Sequence, residues 1–412
     1  MARMTNRPVF VACVTVFTAT LALMPAAAQR PQPTDALGLR IDRPKMLRKG
    51  NQAIPQHYIV VLDMDAAGRD GNLSAARTVT DDLAFRAGAG VTHVYAHAIN
   101  GFSARMSDTQ AVALSEDPRV AFVEEDSMMF ATATQTNPPV GLDRLAQRDL
   151  PLNQAYSYTT TGSGVNAYII DTGIRRTHTQ FGGRAFAAFD AIGDGQNTND
   201  CNGHGTHVAG TVGGSTFGVA KAVRLFAVRV LSCSGSGSTS GVIAGVDWVT
   251  QNHTDPAVAN MSLGGGVSTA LDTAVSNSIA AGVTYAIAAG NSNQNAANSS
   301  PARVAAAITV GASTSSDARA SFSNFGSVVD IFAPGAGILS AYRTSDTATA
   351  TLSGTSMAAP HVAGVAARYL QSNPGVSPAT VRNAIVNAAT TNHLSGLPSG
   401  TANRLLFWSS AQ

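Results

Sequence analysis

Residues 165–173 read VNAYIIDTG, a short apolar run that ends at a carboxylate inside a glycine-containing turn. The run predicts a buried β-strand with Asp171 at its end. Further apolar runs alternate downstream with stretches of helical spacing: Val223–Val230, Ser238–Asn252, Val258–Leu263, Thr269–Ala281 and Val283–Ala288. Strands that alternate with helices favour an α/β fold, with a mostly parallel sheet covered by helices on both faces.

Two other glycine-rich segments carry polar side chains. Residues 203–210 read GHGTHVAG, and residues 354–360 read GTSMAAP. They add an imidazole and a hydroxyl to the carboxylate of Asp171. A serine nucleophile needs these three groups: an attacking oxygen, a base that takes its proton, and an anion that orients the base. The three segments therefore indicate an enzyme that cleaves proteins, with Ser356 as the candidate nucleophile.

Each of these residues also has a commoner structural role. Ser356 precedes a helical stretch, Met357–Leu370, so an ordinary N-cap is one alternative. Asp171 could be only a turn former. Either His204 or His207 could be the base, and a buried structural histidine is the commoner fate of an imidazole. Spacing alone leaves the choice between the two histidines open, but the combination of three glycine-flanked groups favours the catalytic interpretation.

The ends of the predicted strands suggest further site residues. In parallel sheets the chemistry lies at the carboxyl ends of strands, where Asp171, Ser262 and Asn291 all fall. Asn291 ends the small-residue turn after Val283–Ala288 and presents an amide. This amide and the backbone N–H of Ser356 are candidate donors to the oxyanion of a tetrahedral intermediate. An asparagine that only stabilises its own loop is the alternative.

The amino terminus indicates export. Arg3 and Arg7 precede an apolar run, Val9–Leu23, and Ala26-Ala27-Ala28 follows it. This pattern predicts a secretory signal over residues 1–28, because the run is short for a membrane span; a retained anchor helix is the alternative.

Composition and cysteine usage agree with a secreted protein. After loss of the signal, Cys201 and Cys233 remain, and in an oxidising compartment we expect them to form a disulfide. Two free buried thiols are the alternative. Charged residues make up 13% of the chain and the formal net charge is +2, so no strongly basic surface indicates nucleic acid.

The first third of the chain predicts a separate domain. Residues 29–51, rich in Pro, Arg and Gln, indicate a linker. The strands and helices expected after it lie at Tyr58–Leu62, Asp81–Phe85, Ile99–Met106, a helix capped by Ser107, and Val120–Asp126. The order β-α-β-β-α-β, within about 75 residues, favours a small two-layer α/β domain. A turn-rich segment, residues 131–139, separates it from the rest of the chain.

The three glycine-flanked segments, together with Ser262-Leu263-Gly264-Gly265 and Ala289-Gly290-Asn291, resemble the subtilisin-like serine proteases. The similarity is greater to the proteinase K branch, and greatest to its aqualysin-type bacterial members. Residues from about Val140 to Trp408 resemble the mature protease, and His57–Asp126 resembles the inhibitory prodomain. The resemblance implies a signal peptide over residues 1–28, a propeptide over 29–132 with its inhibitor-like domain at about 57–130, and a catalytic domain over 133–412.

The resemblance also implies a role for each site residue. Ser356 is then the nucleophile, His204 the general base, Asp171 its orienting acid and Asn291 an oxyanion donor, while His207 becomes a packing residue. An extended substrate would pair with Ser262, Leu263 and Gly264 as an added strand. The resemblance implies that Gly235, Ser236 and Gly237 form the opposite wall. It implies a specificity pocket between Ser262-Leu263-Gly264 and Ala288-Ala289-Gly290.

Neither pocket segment carries an acid, so we expect broad cleavage after apolar or aromatic residues. The family's structural calcium site implies Asp330 and the backbone carbonyls of Ala305 and Ala307 as Ca²⁺ ligands. The partners implied are protein and peptide substrates and the chain's own propeptide as an intramolecular inhibitor. We expect a secreted, extracellular monomer that binds neither nucleic acid nor membrane.

Two other functions fit the sequence less well. An esterase with an α/β-hydrolase fold would show a G-x-S-x-G elbow and the order serine, acid, histidine, and neither is present. A non-catalytic binding protein that kept the fold would be expected to lack at least one of the four catalytic positions, and all four are intact.

Overall fold

The computed structural model describes residues 45–49, 53–63, 66, 73–127 and 133–410. The predicted signal peptide and most of the predicted linker lie outside these ranges. The chain divides into two compact units, Met1–Met128 and Met129–Gln412. Each unit has its own hydrophobic core.

In its described residues, the first unit contains a five-stranded sheet and the two helices that pack on it. Its elements are β1 Met46–Leu47, β2 Ala53–Leu62, α1 Leu73–Ala87, β3 Gly90–Tyr95, β4 Gly101–Arg105, α2 Asp108–Ser115 and β5 Val120–Ser127. The strand order is β1-β5-β2-β4-β3, with β2 antiparallel to both of its neighbours. Val60, Phe102 and Val123 from the three central strands are fully buried and form the centre of the core with both helices.

The predicted small α/β domain is therefore confirmed, with one additional strand. This additional strand, β1, lies in the segment predicted as a linker, whereas the largely exposed β3 belongs to the predicted order although no segment had been assigned to it. Ser107 caps α2 as predicted: its hydroxyl accepts the N–H of Gln110, and the Gln110 side chain accepts the N–H of Ser107. This capping box fixes where α2 begins.

The second unit is built on a nine-stranded sheet. Its strands are β8 Asn166–Asp171, β9 Ala185–Asp190, β10 Arg224–Arg229, β11 Ala257–Met261, β12 Thr284–Ala288, β13 Ile308–Ser313, β14 Ile331–Pro334, β17 Thr390–Thr391 and β18 Arg404–Leu405. The order is β17-β18-β14-β13-β12-β11-β8-β10-β9, and every pairing is parallel except that of β17 with β18. The mostly parallel sheet predicted from the sequence is thus confirmed.

Over residues 133–410, the rest of this unit consists of six helices and two small two-stranded sheets. The helices are α3 Val140–Leu145, α4 His204–Gly213, α5 Thr239–Asn252, α6 Thr269–Ala280, α7 Thr355–Ser372 and α8 Pro378–Ala388. The small sheets pair β6 Ala133–Thr136 with β7 Ala155–Tyr158, and β15 Ile338–Ala341 with β16 Thr349–Leu352. Short 3₁₀ turns occupy Thr179–Phe181 and Ala296–Asn298.

Helices cover both faces of the large sheet. The core on one face contains side chains of α4, α7 and α8, and the core on the other contains side chains of α5 and α6. Successive residues of β8 alternate between them: Ala167 and Ile169 lie in the first core, and Tyr168 and Ile170 in the second. Burial on both faces explains why this strand is a continuous apolar run rather than an alternating one. It also places Asp171 at the carboxyl edge of the sheet, on the side of α4.

Candidate active site

Asp171 and His204 form a direct hydrogen bond at the end of β8. Asp171 is fully buried, and its Oδ1 accepts the Nδ1–H of His204 at 2.8 Å and the backbone N–H of Thr172 at 2.7 Å. Because Nδ1 carries the proton, Nε2 of the same ring is left with a lone pair. The structure therefore places the imidazole in the tautomer that can take a proton at Nε2.

The glycines around His204 allow this close approach. Gly203 is the N-cap of α4 and has a φ of 112°, a conformation that other residues rarely adopt. A Cβ on Gly205 would lie 2.2 Å from the carbonyl oxygen of Gly173. The first turn of α4 thus packs directly against the turn that follows Asp171.

Two acids act on the charge of His204. Burial disfavours the imidazolium, but the charge and the hydrogen bond of Asp171, together with the charge of Asp200, raise the pKa of His204 above its ordinary value. An imidazole with a raised pKa is a stronger base than a free one. The neighbouring acids therefore favour the protonated ring that forms whenever His204 accepts a proton.

His207 has a different environment. Its side chain is fully buried, and Nε2–H donates to the carbonyl oxygens of Ile338 and Ala350. Burial lowers the pKa of His207 to about 4. The structure therefore distinguishes the two histidines, which the spacing of the sequence could not. His204 is hydrogen-bonded to the Asp171 carboxylate, and His207 lies in the core.

Ser356 is the second residue of α7 and does not cap the helix. The N-cap is Gly354, which has no side chain to accept the first N–H groups. The Ser356 hydroxyl donates instead to the carbonyl oxygen of Ser262 at 3.1 Å, and the Ser262 hydroxyl donates to the carbonyl oxygen of Ser356 at 2.8 Å. Asn260 Nδ2 donates in turn to the Ser262 hydroxyl at 2.9 Å.

His204 and Ser356 border neighbouring clefts that share one wall. Both clefts are lined by residues 263–266; His204 lines the first and Ser356 the second. Within the described residues, no hydrogen bond joins Nε2 of His204 to Oγ of Ser356. In this structure the hydroxyl is bonded to Ser262, which itself lines the first cleft.

Asn291 is held at the start of α7 by its side-chain oxygen. Oδ1 accepts the backbone N–H of Thr355 at 2.8 Å and the hydroxyl of Thr355 at 2.9 Å. Since Oδ1 has both of these donors, Nδ2 is the free end of the amide. The side chain is thus bonded to the residue before Ser356 rather than to its own loop, and it lines the same cleft as Ser356.

The predicted substrate-binding residues line the two clefts. The first cleft, of about 430 Å³, is bordered by Gly235, Ser236, Gly237, Ser262, Leu263 and Gly264. The second, of about 360 Å³, is bordered by Leu263, Gly264, Ala288, Ala289 and Gly290. Of the described residues that line these clefts, none is acidic. The second cleft is therefore lined by small residues and by neutral polar side chains, with no counter-ion for a basic side chain.

The contacts of Asp330 do not fit the calcium site implied by the sequence. Its Oδ2 accepts the N–H of Thr309 at 2.8 Å, and its Oδ1 forms an ion pair with the guanidinium of Arg382. A divalent cation on this carboxylate would lie beside a permanent positive charge. Burial raises the pKa of Asp330, although Arg382 and Arg404 oppose this. The carboxylate of Asp330 is therefore not a free oxygen ligand of the kind that the implied site, with the carbonyls of Ala305 and Ala307, would need.

The predicted disulfide between Cys201 and Cys233 is present. It joins the segment before His204 to the segment that forms one wall of the first cleft. Asn202 adds to this link, because its Nδ2 donates to the carbonyl oxygen of Cys233 and its Oδ1 accepts the N–H of His204. The fully buried Arg229 lies beneath, in an ion pair with Asp194.

The structure also brings in residues that the sequence did not single out. Asp200 is a buried carboxylate four residues before His204, and Thr172 bonds to both Asp171 and Asp200. An acid shortly before a helix start is a recognised signal for the N-terminus of a helix. That signal was available in the sequence for Asp200, whereas the role of Thr172 depends on the folded contact.

Comparisons with known proteins agree with this geometry. Residues 162–404 match a family model described as the subtilase family, and residues 57–132 match one described as peptidase inhibitor I9. An extracellular serine proteinase from Thermus sp. is 57% identical over 78% of this chain and 78% of its own length. An alkaline serine exoprotease A from Vibrio alginolyticus is 51% identical over 88% of this chain and 69% of its own.

A solved structure gives the same relationship. The crystal structure of a cold-adapted subtilisin-like serine proteinase superimposes on this chain with a TM-score of 0.64 and 57% sequence identity. The superposition includes 66% of this chain and 98% of the crystallised chain. In the part of the chain that the structure describes, no helix is both long enough and apolar enough to cross a membrane.

Proposed function

This chain belongs to the subtilase family of serine proteinases, and we propose that it is a secreted endopeptidase that cleaves proteins through an acyl-enzyme on Ser356. The observation that carries the proposal is the 2.8 Å hydrogen bond from His204 to the buried Asp171, beside the cleft that contains the Ser356 hydroxyl. Such an arrangement would supply a base with a fixed tautomer for a nucleophile in the neighbouring cleft.

In the proposed mechanism His204 acts twice. Its Nε2 takes the proton of Ser356 as Oγ attacks the peptide carbonyl, and it then gives that proton to the leaving amine. Water repeats the sequence and releases the acyl group. Asp171 holds the ring through Nδ1. The raised pKa of His204 supports this role, because the ring must become positively charged during each attack.

We assign Asn291 and the backbone N–H of Ser356 to the oxyanion of the tetrahedral intermediate. The assignment is supported by the two bonds from Thr355 to Oδ1, which leave Nδ2 as the donor on the Ser356 cleft. A donor fixed in advance costs no reorganisation when charge develops on the substrate oxygen.

The substrate would bind as an added β-strand. Ser262, Leu263 and Gly264 form one edge, and Gly235 to Gly237 form the other; both line the first cleft. Backbone pairing gives affinity with little demand on sequence. The side chain before the cut would enter the second cleft, where the absence of an acid among its described lining residues supports a preference for apolar or aromatic residues. A peptide-library profile dominated by Lys or Arg would contradict this preference.

The precursor would be processed by the enzyme itself. We propose a signal peptide over residues 1–28, a propeptide over 29–132 that inhibits the enzyme, and a mature chain from about Ala133. The match of residues 57–132 to peptidase inhibitor I9 supports the inhibitory role. Full-length Ser356→Ala should remain uncut near Thr132–Ala133, and its conversion to the parent's mature form without added protease would refute self-processing.

The direct test of the function is hydrolysis of casein and of short peptides by the purified protein. We expect activity that a serine-directed inhibitor abolishes and that Ser356→Ala lacks. Activity that persists after Ser356 is replaced would exclude the proposed nucleophile. Mass analysis of the secreted protein should also find no free thiol at Cys201 or Cys233, as the disulfide requires.

A further inference from the structure

Asp200 is a buried carboxylate with five hydrogen-bond donors. Its Oδ1 accepts the backbone N–H groups of Asn202 and Gly203 and the hydroxyl of Thr172, at 2.8–2.9 Å. Its Oδ2 accepts the backbone N–H of Thr206 at 2.9 Å and the hydroxyl of Thr206 at 2.6 Å. Among the described residues no cation forms a salt bridge with it, so the carboxylate is stabilised by polar donors alone.

These donors lie on both sides of the Asp171–His204 pair. Gly203 and Thr206 belong to the first turn of α4, which carries His204, and Thr172 follows Asp171. Thr172 also donates its N–H to Asp171 and accepts the N–H of Gly205 through its hydroxyl, at 2.9 Å. Asp200 therefore connects the start of the histidine helix to the turn that holds the orienting acid.

We propose that Asp200 is a positioning residue for His204, which fixes the first turn of α4 and places a second negative charge beside the imidazole. The proposal rests on the function proposed above for His204. A carboxylate at a helix N-terminus is favoured by the free N–H groups and by the positive end of the helix dipole. Here the same interaction also serves the base, because the imidazolium formed during attack lies in the field of two acids instead of one.

Other charged groups near His204 do not take this role. His207, on the same helix, is neutral at ordinary pH because burial lowers its pKa to about 4. Arg343 donates to the carbonyl oxygen of Asn202. The charge of Arg229 is balanced by Asp190 and Asp194. Of the acids on these surrounding elements, Asp171 and Asp200 are the two whose charges raise the pKa of His204.

The test is the pH dependence of kcat/KM for Asp200→Asn on a neutral peptide. With one negative charge removed, we expect the acid midpoint to move down by about half a pH unit or more, and the plateau to fall by about tenfold or more. Asp247→Asn is the control, since it removes an exposed carboxylate on α5 and leaves both α4 and the ion pairs of Arg229 intact; its midpoint and plateau should equal the parent's. An unmoved midpoint in Asp200→Asn would overturn the proposal.

A second variant decides the matter if Asp200→Asn is not recovered as processed enzyme. Thr206→Val removes a donor from Asp200 but keeps its charge, so we expect a lower kcat at unchanged KM with an unmoved midpoint. An unchanged kcat in Thr206→Val would then overturn the proposal. If the parent itself showed no peptidase activity, the proposed function would fail, which is a different outcome from an active parent with an insensitive Asp200→Asn.

Discussion

Alanine in place of Gly205 should separate the imidazole from its carboxylate. The added Cβ would lie 2.2 Å from the carbonyl oxygen of Gly173, and 3.2 Å from Oδ1 of Asp171. An ordinary contact starts at 3.4 Å, so the first turn of α4 must move away from the turn after β8 by about 1.2 Å. A displacement of about 1 Å in a catalytic constellation can cost on the order of 10²-fold in rate. We therefore expect kcat to fall by about that factor.

The assay is steady-state hydrolysis of a neutral peptide, with thermal unfolding measured on the same preparation. Overpacking of this kind also costs about 1–3 kcal/mol of stability, so a lower melting temperature should accompany the loss of rate. Gly241→Ala is the matched control. It is also a helical glycine, but its Cβ would meet only the Ser238 hydroxyl at 3.2 Å and Ala191 at 3.7 Å. Its kcat should stay within about twofold of the parent's, because the helix gains propensity and nothing at the site moves.

A Gly205→Ala enzyme with the parent's kcat would contradict this prediction. Such a result would mean that α4 can move without disturbing the bond from His204 to Asp171. It would also weaken the view that the glycines of this segment are required for close packing at the site. Equal losses of kcat in Gly205→Ala and Gly241→Ala would also contradict the prediction. They would mean that replacing any helical glycine lowers the rate, whatever its distance from the site.

Asn291→Ala should lower kcat by about 10²–10³-fold with little change in KM. This range is the one found for the corresponding loss in subtilisin and is not worked out from this structure. An unchanged kcat would mean that Asn291 does not bind the oxyanion. Because the pKa of His204 is raised and only the neutral ring accepts a proton, the acid midpoint of kcat/KM should lie above about pH 6.5, and a lower midpoint would contradict the assigned environment. The pKa of the buried His361 is lowered to about 4, so the stability that the neutral ring contributes is complete above about pH 6.5. As the pH falls toward 4, up to about 3 kcal/mol of this stability is lost. In urea unfolding across this range, the free energy of unfolding should change less steeply with pH for His361→Gln than for the parent. Arg382→Gln should leave Asp330 without its counter-ion and lower the free energy of unfolding by about 1–3 kcal/mol. Added Ca²⁺ should then raise the melting temperature of the variant more than that of the parent. Equal shifts in the two proteins would show that the Arg382 guanidinium does not keep calcium from Asp330.

The parts of the fold that the sequence predicts well are those with a strong local signal. The strand 166–171 is buried throughout and apolar over residues 167–170, because both faces of the sheet are covered. Helix α2 begins where Ser107 and Gln110 form a capping box. The positions of Asp171 and Asn291 follow from the strands that precede them. By contrast, β3 is mostly exposed, and its sequence gives no alternation of buried and exposed residues from which a strand could be predicted.

Contacts between distant side chains could not be predicted in the same way. Asp330 and Arg382 are 52 residues apart, and their ion pair depends on how α8 lies against the sheet. The bond from Ser356 to the carbonyl of Ser262 spans 94 residues and depends on the packing of α7. The separation of His204 from His207 likewise required the folded environment of each ring, because both lie in one short glycine-flanked segment.

One carbonyl oxygen connects the resting enzyme to its substrate. In the structure the oxygen of Ser262 accepts the Ser356 hydroxyl, and it also lies on the edge where a peptide strand would pair. A peptide N–H that bonded to this oxygen would compete with the hydroxyl for it and favour a turn of the hydroxyl toward His204. Sulfonyl fluorides are too small to form that bond and would meet the hydroxyl in its resting position. They should therefore react with Ser356 more slowly than peptide-based inhibitors of equal intrinsic reactivity. An empty enzyme in a protein-rich medium would in this way be protected from adventitious acylation until a chain of the right backbone geometry arrives.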